Sequence, residues 1–111
     1  MHKVFRALSD PTRRRVLQLL REGPRSAGEL SDHFPVSKPT MSAHFAVLLE
    51  SDLIAARKSG RTVHYQLKLS VLEDALLGFA ETVGWDSPAA NRKRRTLRPA
   101  PHGRRALRGE S

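Results

Sequence analysis

The sequence predicts a mainly helical fold with one β-hairpin, an α+β arrangement over residues 1–85 followed by a tail. Three observations carry that expectation. Apolar residues recur at helical spacing in segment after segment; the period switches to two once, around Ser59-Gly60; and from Asp86 onward no period is present at all.

The first helix is short. Val4, Phe5 and Leu8 lie on one stripe, and Ser9-Asp10-Pro11 interrupts it. Asp10 is a good N-cap, and Pro11 suits the first helical position, where its missing N–H costs nothing. The second helix therefore runs from Pro11 to about Glu22, with Val16, Leu17 and Leu20 inward, and Gly23-Pro24 stops it. Ser26 followed by Glu29 is a capping box that opens a third, short helix with Ala27, Leu30 and Phe34 inward.

After Pro35-Val36, Ser37 is again an N-cap. The fourth helix carries Met41, Phe45, Leu48 and Leu49 on its apolar side. Leu53-Ile54-Ala55-Ala56 has strand character. Val63, Tyr65 and Leu67 alternate with Thr62, His64 and Gln66 beyond the Ser59-Gly60 turn, so the two runs form a hairpin. From Ser70 the helical period returns, with Val71, Leu72, Ala75, Leu76, Phe79 and Val83 on a wide apolar face. Residues 86–111, rich in Arg, Pro, Ala and Gly, read as a disordered basic tail.

The chain has 20 Lys+Arg against 11 Asp+Glu, a formal charge of +9, which favours a polyanionic partner. Net +6 of this lies in residues 86–111 and only +3 in residues 1–85, so the binding surface of the globular part must be argued from position. There is no cysteine, which removes disulfides, thiolate metal sites and Cys nucleophiles. No apolar run approaches the ~20 residues of a membrane span. The N-terminal residues lack the pattern of a signal peptide, so the expected location is cytoplasmic. Ser, His and Asp are present, but none stands in a nucleophile motif and no Gly-rich phosphate loop occurs, so an enzyme is not expected.

The third and fourth helices, joined by a turn, have the spacing of a helix-turn-helix, and the following hairpin supplies a wing. In that arrangement the fourth helix enters the major groove. Its first turns fit the task. Ser37, Lys38, Thr40, Ser42 and His44 offer short donors, acceptors and a cation, Pro39 fixes the helix start, and Ala43 permits close approach or contact with a thymine methyl. The helix N-terminus also offers backbone N–H groups to a phosphate. Arg57, Lys58 and Arg61 bracket Gly60 at the wing tip, where cations reach a neighbouring backbone. Arg13 and Arg14 are further candidates for the DNA backbone. The residues alone leave an alternative open: a winged helix that binds RNA or a protein partner.

The segment from Ala7 to Leu17, with its Ser9-Asp10-Pro11-Thr12-Arg13, resembles the opening of ArsR-family regulators. So does Ala27-Gly28-Glu29-Leu30, followed by Val36-Ser37-Lys38-Pro39-Thr40-Met41-Ser42-Ala43-His44-Phe45, which is similar to the family's recognition helix. Gly60-Arg61 and Tyr65-x-Leu67 resemble its wing. The likeness spans about Val4 to Val83, and Ser37-Lys38-Pro39 points to the SdpR-like subgroup. It implies a transcriptional regulator, by the family's habit a repressor, that binds an imperfect palindrome of double-stranded DNA as a homodimer. The first and last helices would pack across the dyad. Val4, Phe5, Leu8, Leu72, Leu76, Phe79 and Val83 are the corresponding interface candidates, and they exceed what one small core would bury. Members that sense metals use Cys near the third helix or Asp and His on the last one. Here residues 26–34 hold no Cys and residues 70–85 no His, so neither metal nor cofactor is expected. Any inducer is unspecified.

Overall fold

The computed structural model describes residues 2–85, and the expected basic tail lies outside them. The elements are α1 (His2–Leu8), α2 (Pro11–Leu20), β1 (Arg25–Ser26), α3 (Ala27–Ser31), α4 (Lys38–Glu50), β2 (Ile54–Ser59), β3 (Thr62–Leu67) and α5 (Leu69–Thr82). Residues 1–76 form one compact unit and a second begins at Leu77, so α5 runs across the boundary.

The helix starts form as their caps dictate. The Asp10 carboxylate accepts from the backbone N–H of Thr12 at 2.8 Å and of Arg13 at 3.1 Å. Ser26 and Glu29 close the expected capping box at 3.0 and 2.8 Å. The Glu29 carboxyl is held below its ordinary value, chiefly by the Ser26 backbone N–H. Ser37 caps α4 through the Thr40 N–H at 3.3 Å. The second helix ends slightly earlier than expected, with Arg21 as its C-cap.

Arginine side chains satisfy helix C-termini. Arg13 Nε donates to the Ala7 carbonyl at 2.8 Å, Arg13 Nη2 to that of Arg6 at 3.1 Å, and Arg14 Nη1 to that of Leu8 at 2.8 Å. Arg25 Nε reaches the Leu19 carbonyl at 3.1 Å. These carbonyls lie in the last turns of α1 and α2, where intrahelical donors run out.

The hairpin gains a third strand that the sequence pattern does not announce. Arg25–Ser26 pairs antiparallel with β3, Arg25 opposite Tyr65 and Ser26 opposite His64, giving the order β1-β3-β2. Two residues are too few to show a period. Between β2 and β3, Ser59 faces Thr62, which leaves Gly60-Arg61 as a two-residue turn. Gly60 has φ +62° and Arg61 does not have positive φ, the pattern of a type II′ turn, whose first central position favours glycine.

The core of the first unit includes Val16, Leu19, Leu20, Leu30, Met41, Phe45, Leu48, Leu53, Ile54 and Tyr65. Two expectations are corrected. Leu49 is exposed, and Val47 packs against the core in its place, because the buried stripe of α4 runs through Met41, Phe45 and Leu48 and leaves Leu49 at its margin. Val4, expected at a subunit interface, is 5% exposed and belongs to this core. Phe5, Leu8 and Leu72 are partly buried against the same core.

Helix α4 ends in a Schellman motif. The Asp52 N–H donates to the Leu49 carbonyl at 3.0 Å and the Leu53 N–H to that of Leu48 at 3.2 Å. Asp52 takes the left-handed conformation, φ +66°, that such an ending requires. Its carboxylate pairs with Lys68 Nζ at 2.8 Å, and the Lys68 backbone N–H donates to the Leu53 carbonyl at 2.8 Å. The end of α4 is thus tied to the exit of the hairpin.

Candidate nucleic-acid interface

The candidate residues of α4 sit on a surface that the core holds in place. Ser37, Lys38, Pro39, Thr40, Ser42 and Ala43 are exposed, and His44 is half-buried. Directly behind them Met41 and Leu48 are almost wholly buried, and the Phe45 ring lies 4.7 Å from the Tyr65 ring, tilted by 37°. That aromatic contact joins α4 to β3 and so fixes the helix relative to the wing. Burial also raises the Tyr65 phenol above its ordinary value.

The polar groups at the helix start are not equivalent. The Ser37 hydroxyl donates to Thr40 Oγ1 at 3.0 Å while accepting from the Thr40 N–H. Ser37 is therefore occupied as a cap, and the Thr40 hydroxyl keeps its own proton for an outside acceptor. Pro39 has no N–H, and Met41 N–H bonds the Ser37 carbonyl. Of the backbone N–H groups from Lys38 to Met41, only that of Lys38 remains for a phosphate. The helix terminus is thus a narrower donor than the sequence suggests, and the Lys38 ammonium supplies the charge beside it.

The wing divides its cations between two faces. Cross-strand register places Ser26, His64 and Arg57 in one row and Lys58 opposite Val63 in the next. Successive side chains alternate, so Arg57 and Lys58 leave the ribbon on opposite sides. Arg57, Lys58, Gly60 and Arg61 are all exposed. His64, half-buried beside Arg57, joins the first row; the alternation was legible in the sequence, but its row-mate on β1 was not.

Arg13 and Arg14 are placed differently from a free cationic patch. Besides its two carbonyl contacts, Arg13 sets Nη1 3.2 Å from His44 Nδ1, and Arg14 is turned onto the Leu8 carbonyl. The Asp10 carboxylate completes this group, 3.9 Å from His44 Nδ1. Burial alone would raise the Asp10 carboxyl. The Arg13 backbone N–H, His44, the Thr12 N–H and the Arg13 charge together outweigh burial and hold it below its ordinary value.

Residues 8–57 match the model of a helix-turn-helix domain family. The chain is 41% identical over 76 residues to the transcriptional repressor SdpR of Bacillus subtilis, a match covering 68% of this chain and 84% of that protein. It is 37% identical over 73 residues to an arsenical resistance operon repressor of Staphylococcus aureus, covering 66% and 70% of the two chains. A crystal structure of an ArsR family transcriptional regulator, RHA00566, superposes with a TM-score of 0.69 at 32% identity, covering 73% of this chain and 89% of that one. This chain belongs to the ArsR family. It is a DNA-binding transcriptional regulator with a winged helix-turn-helix, a class of binding proteins and not of enzymes. In ArsR-family terms α3 and α4 are the helix-turn-helix and β2–β3 is the wing. No described helix is long and apolar enough to cross a membrane.

Proposed function

We propose that this regulator represses transcription as a homodimer bound to an imperfect palindrome in the cytoplasm, with α4 as its recognition helix. The observation that carries this reading is the outward polar face of α4, backed by Met41, Phe45 and Leu48 and aligned with the wing through the Phe45–Tyr65 contact. Lys38, Thr40, Ser42 and His44 provide the groups that meet base edges and phosphates, Ala43 lets the helix approach, and Ser37 and Pro39 set its start. Arg57, Lys58 and Arg61, arranged about Gly60, contribute phosphate contacts. A named repressor at 41% identity favours repression and DNA over an RNA or protein partner.

The dimer reading rests on apolar exposure. Helix α5 carries Leu76 at 48% and Phe79 at 49% exposure, and Val83 just beyond its end is at 60%, values that are high for such large apolar side chains. A second copy that covers them, with Phe5, Leu8 and Leu72 contributing their exposed edges, would set two recognition helices ~34–36 Å apart, one turn of DNA.

Footprinting across the DNA upstream of the protein's own gene tests the whole reading. Two protected half-sites one helical turn apart are expected, with sedimentation showing two chains per duplex. Equal affinity for that duplex, a random duplex and RNA would overturn it.

A further inference from the structure

The contact between Arg13 and His44 joins the second helix to the recognition helix, across 31 positions of sequence. A guanidinium can only donate. With Arg13 Nη1 3.2 Å from His44 Nδ1, that ring nitrogen must accept, and the neutral imidazole then carries its proton on Nε2. Among the described residues, the Asp10 carboxylate is the group near His44 that would favour a proton on Nδ1. It lies 3.9 Å away, beyond hydrogen-bond distance, and its Oδ2 already accepts from two backbone N–H groups.

The guanidinium is itself held firmly. Its Nε and Nη2 donate to the Ala7 and Arg6 carbonyls, so Nη1 cannot rotate away without breaking two further bonds. His44 Nε2 has no protein partner among the described residues, although the side chain is only 17% exposed. A half-buried ring is thus fixed on one side and left with an unanswered donor on the other.

We propose that Arg13 is a positioning residue that fixes the His44 tautomer, so that the Nε2–H is presented as a ready donor to a DNA phosphate. The inference rests on the reading of α4 as the recognition helix, and it assigns Arg13 a role through His44 in place of a direct contact with DNA. It also gives the two residues different duties. Arg13 supplies orientation, and His44 supplies the bond.

Two measurements on the full chain test it. In long-range ¹H–¹⁵N spectra at alkaline pH, His44, identified by its absence from the His44→Gln spectrum, should show an unprotonated Nδ1 and a protonated Nε2. In Arg13→Met, which keeps length but has no donor, the signals should move towards a mixture of tautomers. A wild-type ring protonated on Nδ1 overturns the inference and leaves the recognition-helix reading standing.

Operator affinity supplies the second measurement. A glutamine amide can occupy the Nε2 position and an asparagine amide the Nδ1 position. His44→Gln should therefore bind within a few-fold of wild type, while His44→Asn should lose about tenfold, the scale of one charge-assisted hydrogen bond. A merely structural His44 would reverse that order, because asparagine keeps the Arg13 contact, and this result would overturn the inference. Lys38→Ala, measured in parallel, separates the two levels: wild-type binding by Lys38→Ala defeats the recognition-helix reading itself.

Discussion

The exposed face of α4 and the tip of the wing both offer cations and small polar groups, but they are anchored very differently. Beneath α4, Met41, Phe45 and Leu48 are at most 4% exposed, its start is capped by Ser37, and its end is closed by a Schellman motif and the Asp52–Lys68 pair. From Arg57 to Thr62, in contrast, every residue of the hairpin tip is exposed on both faces. A helix held at both ends and from behind keeps its side chains in register with base edges, which is what sequence discrimination needs. A tip supported only by its own ladder suits contacts to phosphates, which add affinity without reading sequence. The difference in support follows from where the core lies, not from residue type, since both regions carry basic side chains; on the proposed reading α4 would discriminate and the wing tip attract.

The sharpest way to break this comparison is Phe45→Ala. Removing a core aromatic costs about 3–5 kcal/mol. Thermal melting should fall steeply, and operator preference should fall with it because α4 loses both its backing and its link to Tyr65. Unchanged sequence preference in the surviving folded protein would show that the backing does not govern discrimination.

Lys38→Ala should act on binding alone. A weakening of about 1–3 kcal/mol is expected if the side chain meets a base edge, with the melting temperature unmoved. Titration of specific and random duplexes separates this from a phosphate contact, which would weaken both equally.

Asp10→Ala tests the support behind α4 from the α2 side. Loss of an N-cap costs ~1 kcal/mol. The folded Asp10 carboxyl is held below its ordinary value, so its contribution is complete at neutral pH, above the unfolded value. It is lost as the pH falls through the folded value. Wild type and variant should therefore differ in melting temperature at neutral pH and converge in acid; a gap that persists unchanged in acid would show that the carboxylate charge is not what stabilises the cap.

Arg61→Ala should have the smallest effect. It should leave stability intact, weaken specific and non-specific duplexes alike, and lower the salt dependence of binding by about one counterion. A change in sequence preference would move the wing tip into the discriminating part of the interface.

Much of this was legible in the chain because the deciding interactions are local. Asp10, Ser26 and Ser37 cap helices through N–H groups two or three positions away, and the alternation of Val63, Tyr65 and Leu67 marks one face of a strand. The fourth helix and the wing follow from such signals in order. Leu49 and Val4 show where local pattern fails: Leu49 lies at the edge of the α4 stripe and stays exposed, Val4 lies with Ala7 on the buried side of α1, and only the packing of neighbouring elements decides which apolar residue is covered.

Composition, capping chemistry and hydrophobic period thus determined a basic helix-turn-helix with a wing, because each acts over a few residues of chain. Tertiary structure alone decided that Arg25–Ser26 joins the sheet, that Ser26 thereby extends the His64–Arg57 row to three strands, and that Arg13 turns away from solvent onto His44. Those outcomes depend on partners far apart in sequence, whose meeting is set by how the core closes.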